Sequence, residues 1–151
     1  MNGPIGEISR VMDARKFPSL CRSGNVDLLR KILVENDIFD VEYGMWIAAE
    51  RGHLDVVKLM IEYGANNYDI PAFYAARQGH MDIVGLMANL GINDYDQVLL
   101  SAAVSGNISM VQYIITLGAR NYDNILKNYC QFCSKEVLDL LNTYKQGKTK
   151  L

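Results

Sequence analysis

Apolar positions in this chain fall into short segments of helical period, and the segments repeat. Arg51–Gly64 reads RGHLDVVKLMIEYG, Gln78–Gly91 reads QGHMDIVGLMANLG, and Ser105–Gly118 reads SGNISMVQYIITLG. In the first copy Leu54, Val57, Met60 and Ile61 are spaced to share one helical face. Gly52, Gly79 and Gly106 stand 27 residues apart, as do Gly64, Gly91 and Gly118. Tyr68, Tyr95 and Tyr122 keep the same interval, and so do the pairs Ala48-Ala49, Ala75-Ala76 and Ala102-Ala103. A fixed period of this kind is the signature of a repeat architecture.

Each copy predicts two short helices joined by a tight turn. The clearest places one over Gly44–Glu50 and a second over Leu54–Tyr63. Asp55 lies in the first turn of the second helix, where it meets the positive end of the dipole, and Gly64 ends that helix. Pro18 and Pro71 mark helix starts, where a missing N–H costs nothing. A weaker copy upstream predicts a helix over Val26–Glu35 stopped by Asn36. One downstream keeps the apolar pattern in CSKEVLDLL without the glycine. There Lys135 and Asn142 replace apolar residues, as at a terminal repeat. The units expected are 15–42, 43–69, 70–96, 97–123 and 124–150, behind a lead-in over 1–14 in which Ile8, Val11 and Met12 share a helical spacing. Ten-residue helices are marginal alone, so their stability must come from faces buried between neighbouring helices. Small alanine pairs let the first helices lie close.

Composition narrows the function classes. With 50% hydrophobic residues in 151, the chain can fold around a core. Fifteen basic and 17 acidic residues leave a net charge of −2, which gives no footprint for nucleic acid. Charges interrupt every apolar run, so no membrane span is expected, and the N-terminal residues lack the pattern of a secretory signal. Three cysteines do not make a disulfide framework, which favours a reducing, intracellular and cytoplasmic setting.

These residues resemble the ankyrin repeat family. Its core phrase is matched by Pro71, Ala75, Ala76, Gly79, His80, Asp82, Ile83, Val84 and Gly91. Ala48, Ala49, Gly52, His53, Asp55, Val56, Val57, Gly64 and Ala65 match it again. The common unit has about 33 residues, against 27 here. The shortfall lies before each first helix, where the family has a β-hairpin finger. Such shortened arrays with asparagine-aromatic linkers look like those of large DNA viruses. The resemblance implies an all-α, ankyrin-like helix–turn–helix solenoid with shortened β-hairpin fingers. It implies protein–protein recognition through a concave face lined by the first helices; a monomer without a cofactor is expected beside it.

Candidate site residues follow from what does not recur. Ile47, Tyr74 and Ser101 share a phase, as do Glu50, Arg77 and Val104, and Arg51, Gln78 and Ser105. Variation in phase is expected of a recognition surface, and aromatic and arginine side chains are enriched in binding hot spots. Trp46, Arg51, Tyr74 and Arg77 are therefore the expected partner-binding residues. Trp46, Phe73 and Leu100 share a phase that reads as an apolar seam. The recurring tyrosines read as covers for the stacked units, with their hydroxyls at solvent.

Competing chemistry has little material. His53 and His80 are the only histidines, and both fall in the Gly-His turn, where a ring bonds backbone groups. Cys130 and Cys133 form a single C-x-x-C, leaving open a thiol or metal-dependent function, while Cys21 falls in the alanine-pair phase as a small core residue. Neither a nucleophile elbow nor a phosphate loop occurs, so no enzyme is expected. A spacer without a specific partner is the remaining alternative.

Overall fold

The computed structural model describes residues 15–35 and 39–147. The lead-in helix around Ile8, the Asn36 stop and the tail from residue 148 lie outside them. The described residues contain helices and connections and no strand. They form two compact units divided between Asn67 and Tyr68.

The first unit begins with a helix, α1, over 15–23, followed by α2 (Val26–Glu35), α3 (Val41–Arg51) and α4 (Leu54–Glu62). Cys21 in α1 is fully buried, as its alanine-pair phase predicts. The core continues through Leu29, Ile32, Met45, Val57 and Met60. Gly44 is where the Phe17 ring and the Met60 sulfur close on the backbone of α3. A Cβ there would stand 2.8 Å from each. Phe17 also stacks on Phe39, with ring centroids 4.7 Å apart.

In the second unit α5 (Asp69–Gln78), α6 (Met81–Leu90), α7 (Tyr95–Ser105) and α8 (Ile108–Leu117) form two consecutive helix pairs. The first helices α5 and α7 pack on each other as well as on their own partners. Ala75, Ala76, Ala102 and Ala103 are fully buried along these first helices, which is what their small size permits. Ile83, Val84, Met87, Met110, Val111 and Ile114 supply the core of the second helices. The last pair is less regular. A single turn α9 (Tyr122–Asn124) widens into a π-turn (Ile125–Tyr129), tightens into a 3₁₀ turn (Cys130–Phe132), and is followed by α10 (Lys135–Lys145).

The same turn joins each regular pair. Gly52 donates to Ala49 and His53 to Ala48; Gly79 donates to Ala76 and His80 to Ala75; Gly106 donates to Ala103 and Asn107 to Ala102. The alanine-pair carbonyls thus accept the bonds that close the helix end. The geometry requires a left-handed residue, and Gly52, Gly79 and Gly106 have φ of 78°, 89° and 77°. His53 explains the histidine in the turn. Its Nε2 lies 2.9 Å from the Arg22 carbonyl, and its ring covers Gly24, the turn glycine of the preceding pair. Asn107 stands over Gly79 in the same way, with Nδ2 2.9 Å from where a Cβ would be.

A second recurring device replaces the lost fingers. Glu42, Asp69 and Asp96 open α3, α5 and α7, and each carboxylate reaches the linker at the far end of its own helix pair. Glu42 Oε1 accepts from Asn66 N–H at 2.7 Å, Asp69 Oδ1 from Asn93 N–H at 2.7 Å, and Asp96 Oδ1 from Arg120 N–H at 2.9 Å. The next residue, Asn67, Asp94 or Asn121, donates as well. Linkers this short cannot bond to themselves as hairpins do, so an acid satisfies their backbone donors. The signal, a carboxylate at 42, 69, 96 and 123, was present in the sequence beside the tyrosines.

Four expectations need correction. Leu59 and Leu86 stand 27 residues apart mid-way along their second helices, a phase that predicts burial for both; Leu59 is buried and Leu86 only half-buried. The buried stripe of α4 is Val56, Val57, Leu59 and Met60, with Leu54 and Ile61 at its margins. Gly85 shares the phase of Lys58 and Gln112, long polar residues that predict a solvent-facing position, but the Tyr113 hydroxyl lies 2.8 Å from where its Cβ would stand. Tyr122 does not present its hydroxyl to solvent: the ring is buried and the hydroxyl donates to the Ala119 carbonyl at 3.2 Å.

Candidate functional site

The expected site residues fall in both units. In the first, Trp46 is half-buried on α3 and meets the Tyr43 ring edge-on, centroids 5.2 Å apart, while Arg51 is exposed in the last turn. In the second, Tyr74 is half-buried on α5 and meets Phe73 edge-on at 5.3 Å. Arg77 is exposed one helical turn later, and no described residue bonds or pairs with its guanidinium.

The phase that holds Tyr74 is not an open surface throughout. Its phase-mates Ile47 and Ser101 are buried, and the Ser101 hydroxyl donates to the Phe73 carbonyl at 2.8 Å. This bond holds α7 against α5 at the level of Phe73. The phase that holds Arg77 is the more open one, since Val104 is also exposed.

Two hollows share Phe73. One, of about 350 Å³, is lined by Asp69, Ile70, Tyr74, Asp94 and Gln97. The other, of about 310 Å³, is lined by Arg77, Leu100, Ser101, Val104, Tyr129 and Phe132. The structure therefore brings Phe73 and Leu100 of the sequence seam together with Arg77. It puts Tyr74 in the other hollow.

Tyr129 and Phe132 were missed in the sequence. They stand 27 residues after Ala102 and Ser105, so their positions were visible in the repeat. Where α7 carries two fully buried alanines, α9 and its continuation carry Tyr129 and Cys130. A tyrosine does not fit a contact shaped for a methyl group, and the helix widens into a π-turn at this point. Phe132 then ends on the surface, 59% exposed.

Two of the three thiols are held in the protonated form. Burial pushes Cys21 up to about 12. Burial and the neighbouring Cys130 push the Cys133 thiol up as well, away from the reactive thiolate. No group of three His, Cys, Asp or Glu among the described residues could hold a metal ion. No helix among them is long and apolar enough to cross a membrane.

A family model described as ankyrin repeats, in three copies, matches residues 45–128. No curated protein matches the chain.

Proposed function

Because the chain belongs to the ankyrin repeat family, whose repeats are in general protein–protein interaction modules, we propose that it binds a partner protein through the face of its first helices. Trp46, Arg51, Tyr74 and Arg77 are the anchors in this reading. Five units make up the recognition domain, the first and last acting as caps. One observation carries the proposal: α5 and α7 leave Arg77 exposed and unpaired among the described residues beside an apolar hollow. A folded protein gains nothing from that arrangement, whereas an interface pairs the charge and covers the apolar surface.

The test is affinity capture by the intact chain, read by mass spectrometry. Arg51→Ala with Arg77→Ala removes two exposed side chains, so the helical dichroism and melting temperature stay as they are while the captured partner is lost. Lys58→Ala, exposed on the second helix α4, keeps it. Retention by the double variant and loss by the Lys58 variant would place recognition elsewhere. Capture of nothing above background would leave the spacer reading.

A further inference from the structure

The hollow between α5, α7 and the distorted helix 122–132 lies within the second unit and has a chemistry of its own. Phe73, Leu100, Val104 and Phe132 make its walls apolar. Ser101 is already committed to the Phe73 carbonyl, so it offers no donor to a guest. Arg77 is the only charged residue in the lining, and its guanidinium has no partner among the described residues. At about 310 Å³ the hollow sits at the small end of the range for ligand pockets. It has room for one large side chain and not for an extended cofactor.

We propose that this hollow receives one large apolar or aromatic side chain from a short acidic segment of the partner, whose neighbouring Asp or Glu carboxylate pairs with Arg77. The inference rests on the preceding reading and names the chemistry of the partner. A bare guanidinium at the rim selects a carboxylate, since its planar fork matches two oxygens at once. Exposed Phe132 and Val104 gain a cover, and the guest's ring meets Phe73 and Tyr129. The hollow exists because Tyr129 stands where other copies carry alanine and Phe132 where α7 carries Ser105.

Random twelve-residue peptides displayed on phage and selected on the intact chain test the assignment. The selected peptides are expected to carry a large apolar residue next to Asp or Glu. Synthetic versions should bind Arg77→Glu at least tenfold more weakly. Selection on Arg77→Glu itself should replace the acid with Lys or Arg. Val104→Trp, which fills the hollow from an exposed position, should also weaken the original peptides at least tenfold. Helical dichroism of each variant confirms that the fold is kept. Peptides without an acid, or ones indifferent to both Arg77→Glu and Val104→Trp, overturn the inference while leaving recognition by the first-helix face intact. A selection that yields no peptide overturns it too, and the capture experiment above then decides the broader reading by itself.

Discussion

Ala75–Gly79 and Tyr129–Cys133 occupy the same five positions of the repeat and fold differently. AARQG closes α5 with two buried alanines and a left-handed glycine. YCQFC ends a π-turn, passes through a 3₁₀ turn and leaves Cys133 extended at φ −101°. The alanines are required because α5 has helices packed around it, including α6 and α7. The helix at 122–132 meets α7 and α10 more loosely, so a tyrosine is accommodated by widening the backbone. Regularity in this chain is therefore a consequence of close packing. Where the packing relaxes, the freed positions line a hollow beside Arg77.

The largest test of that contrast is in the core. Met87→Ala in α6 should cost about 2–5 kcal/mol in a urea titration, as large-to-small changes at fully buried sites do. Leu141→Ala, equally buried in α10, should instead let the last pair melt first, with fluorescence and dichroism no longer coincident. Coincident transitions in the Leu141 variant would mean that the last pair is as tightly coupled as the others.

The turns come next. Gly79→Ala forces a left-handed alanine and crowds Asn107, and should lose about 1–2 kcal/mol. Cys133→Ala, at an ordinary φ, should change stability little. Equal losses would show that the two turns are not different in kind.

The carboxylate clamps give a pH test. Burial alone raises the pKa of Asp69, and the hydrogen bonds from Asn93 and Asp94 outweigh it, so the pKa lies below the ordinary value of 3.8. A carboxylate depressed in this way contributes stability above its unfolded pKa and loses it as pH falls through the folded value. Asp69→Ala should cost about 1 kcal/mol at neutral pH after solvent screening. Its difference from wild type should close as pH drops below 3.8. In the last pair Asp123 has the Lys145 ammonium as its partner at an exposed site, and that partner holds its carboxyl low. Asp123→Ala should have a smaller effect that added salt removes.

Gly85 supplies the smallest effect. Mid-helix glycine is worse than alanine by about 1 kcal/mol. The Tyr113 hydroxyl has to move before that gain appears, so Gly85→Ala alone should be near neutral. In a Tyr113→Phe background the same change should raise the melting temperature. No gain in that background would place the obstruction elsewhere.

The sequence by itself determined the helix pairs, their turns and the buried alanines, because each depends on spacing within one unit. A 27-residue interval between glycines fixes where a left-handed turn falls, and an alanine pair fixes which carbonyls close it. Of the proposed anchors, Arg51, Tyr74 and Arg77 stand at positions that vary from copy to copy, and Trp46 stands in the apolar phase of Phe73 and Leu100. What a phase cannot say is how much space surrounds it: Tyr74, Ile47 and Ser101 share one phase, yet Ile47 and Ser101 are buried. Gly85 and Leu86 were misjudged for the same reason, since Tyr113 on the next second helix decides the surroundings of Gly85 and no period within α6 reports it. Only tertiary structure showed that Glu42, Asp69 and Asp96 reach linkers 24 residues ahead, because that contact closes across a whole helix pair. The hollow beside Arg77 belongs to the same class. It needs α5, α7 and a helix widened by Tyr129 at once, and its shape is set by how three elements fail to pack rather than by the pattern of any one of them.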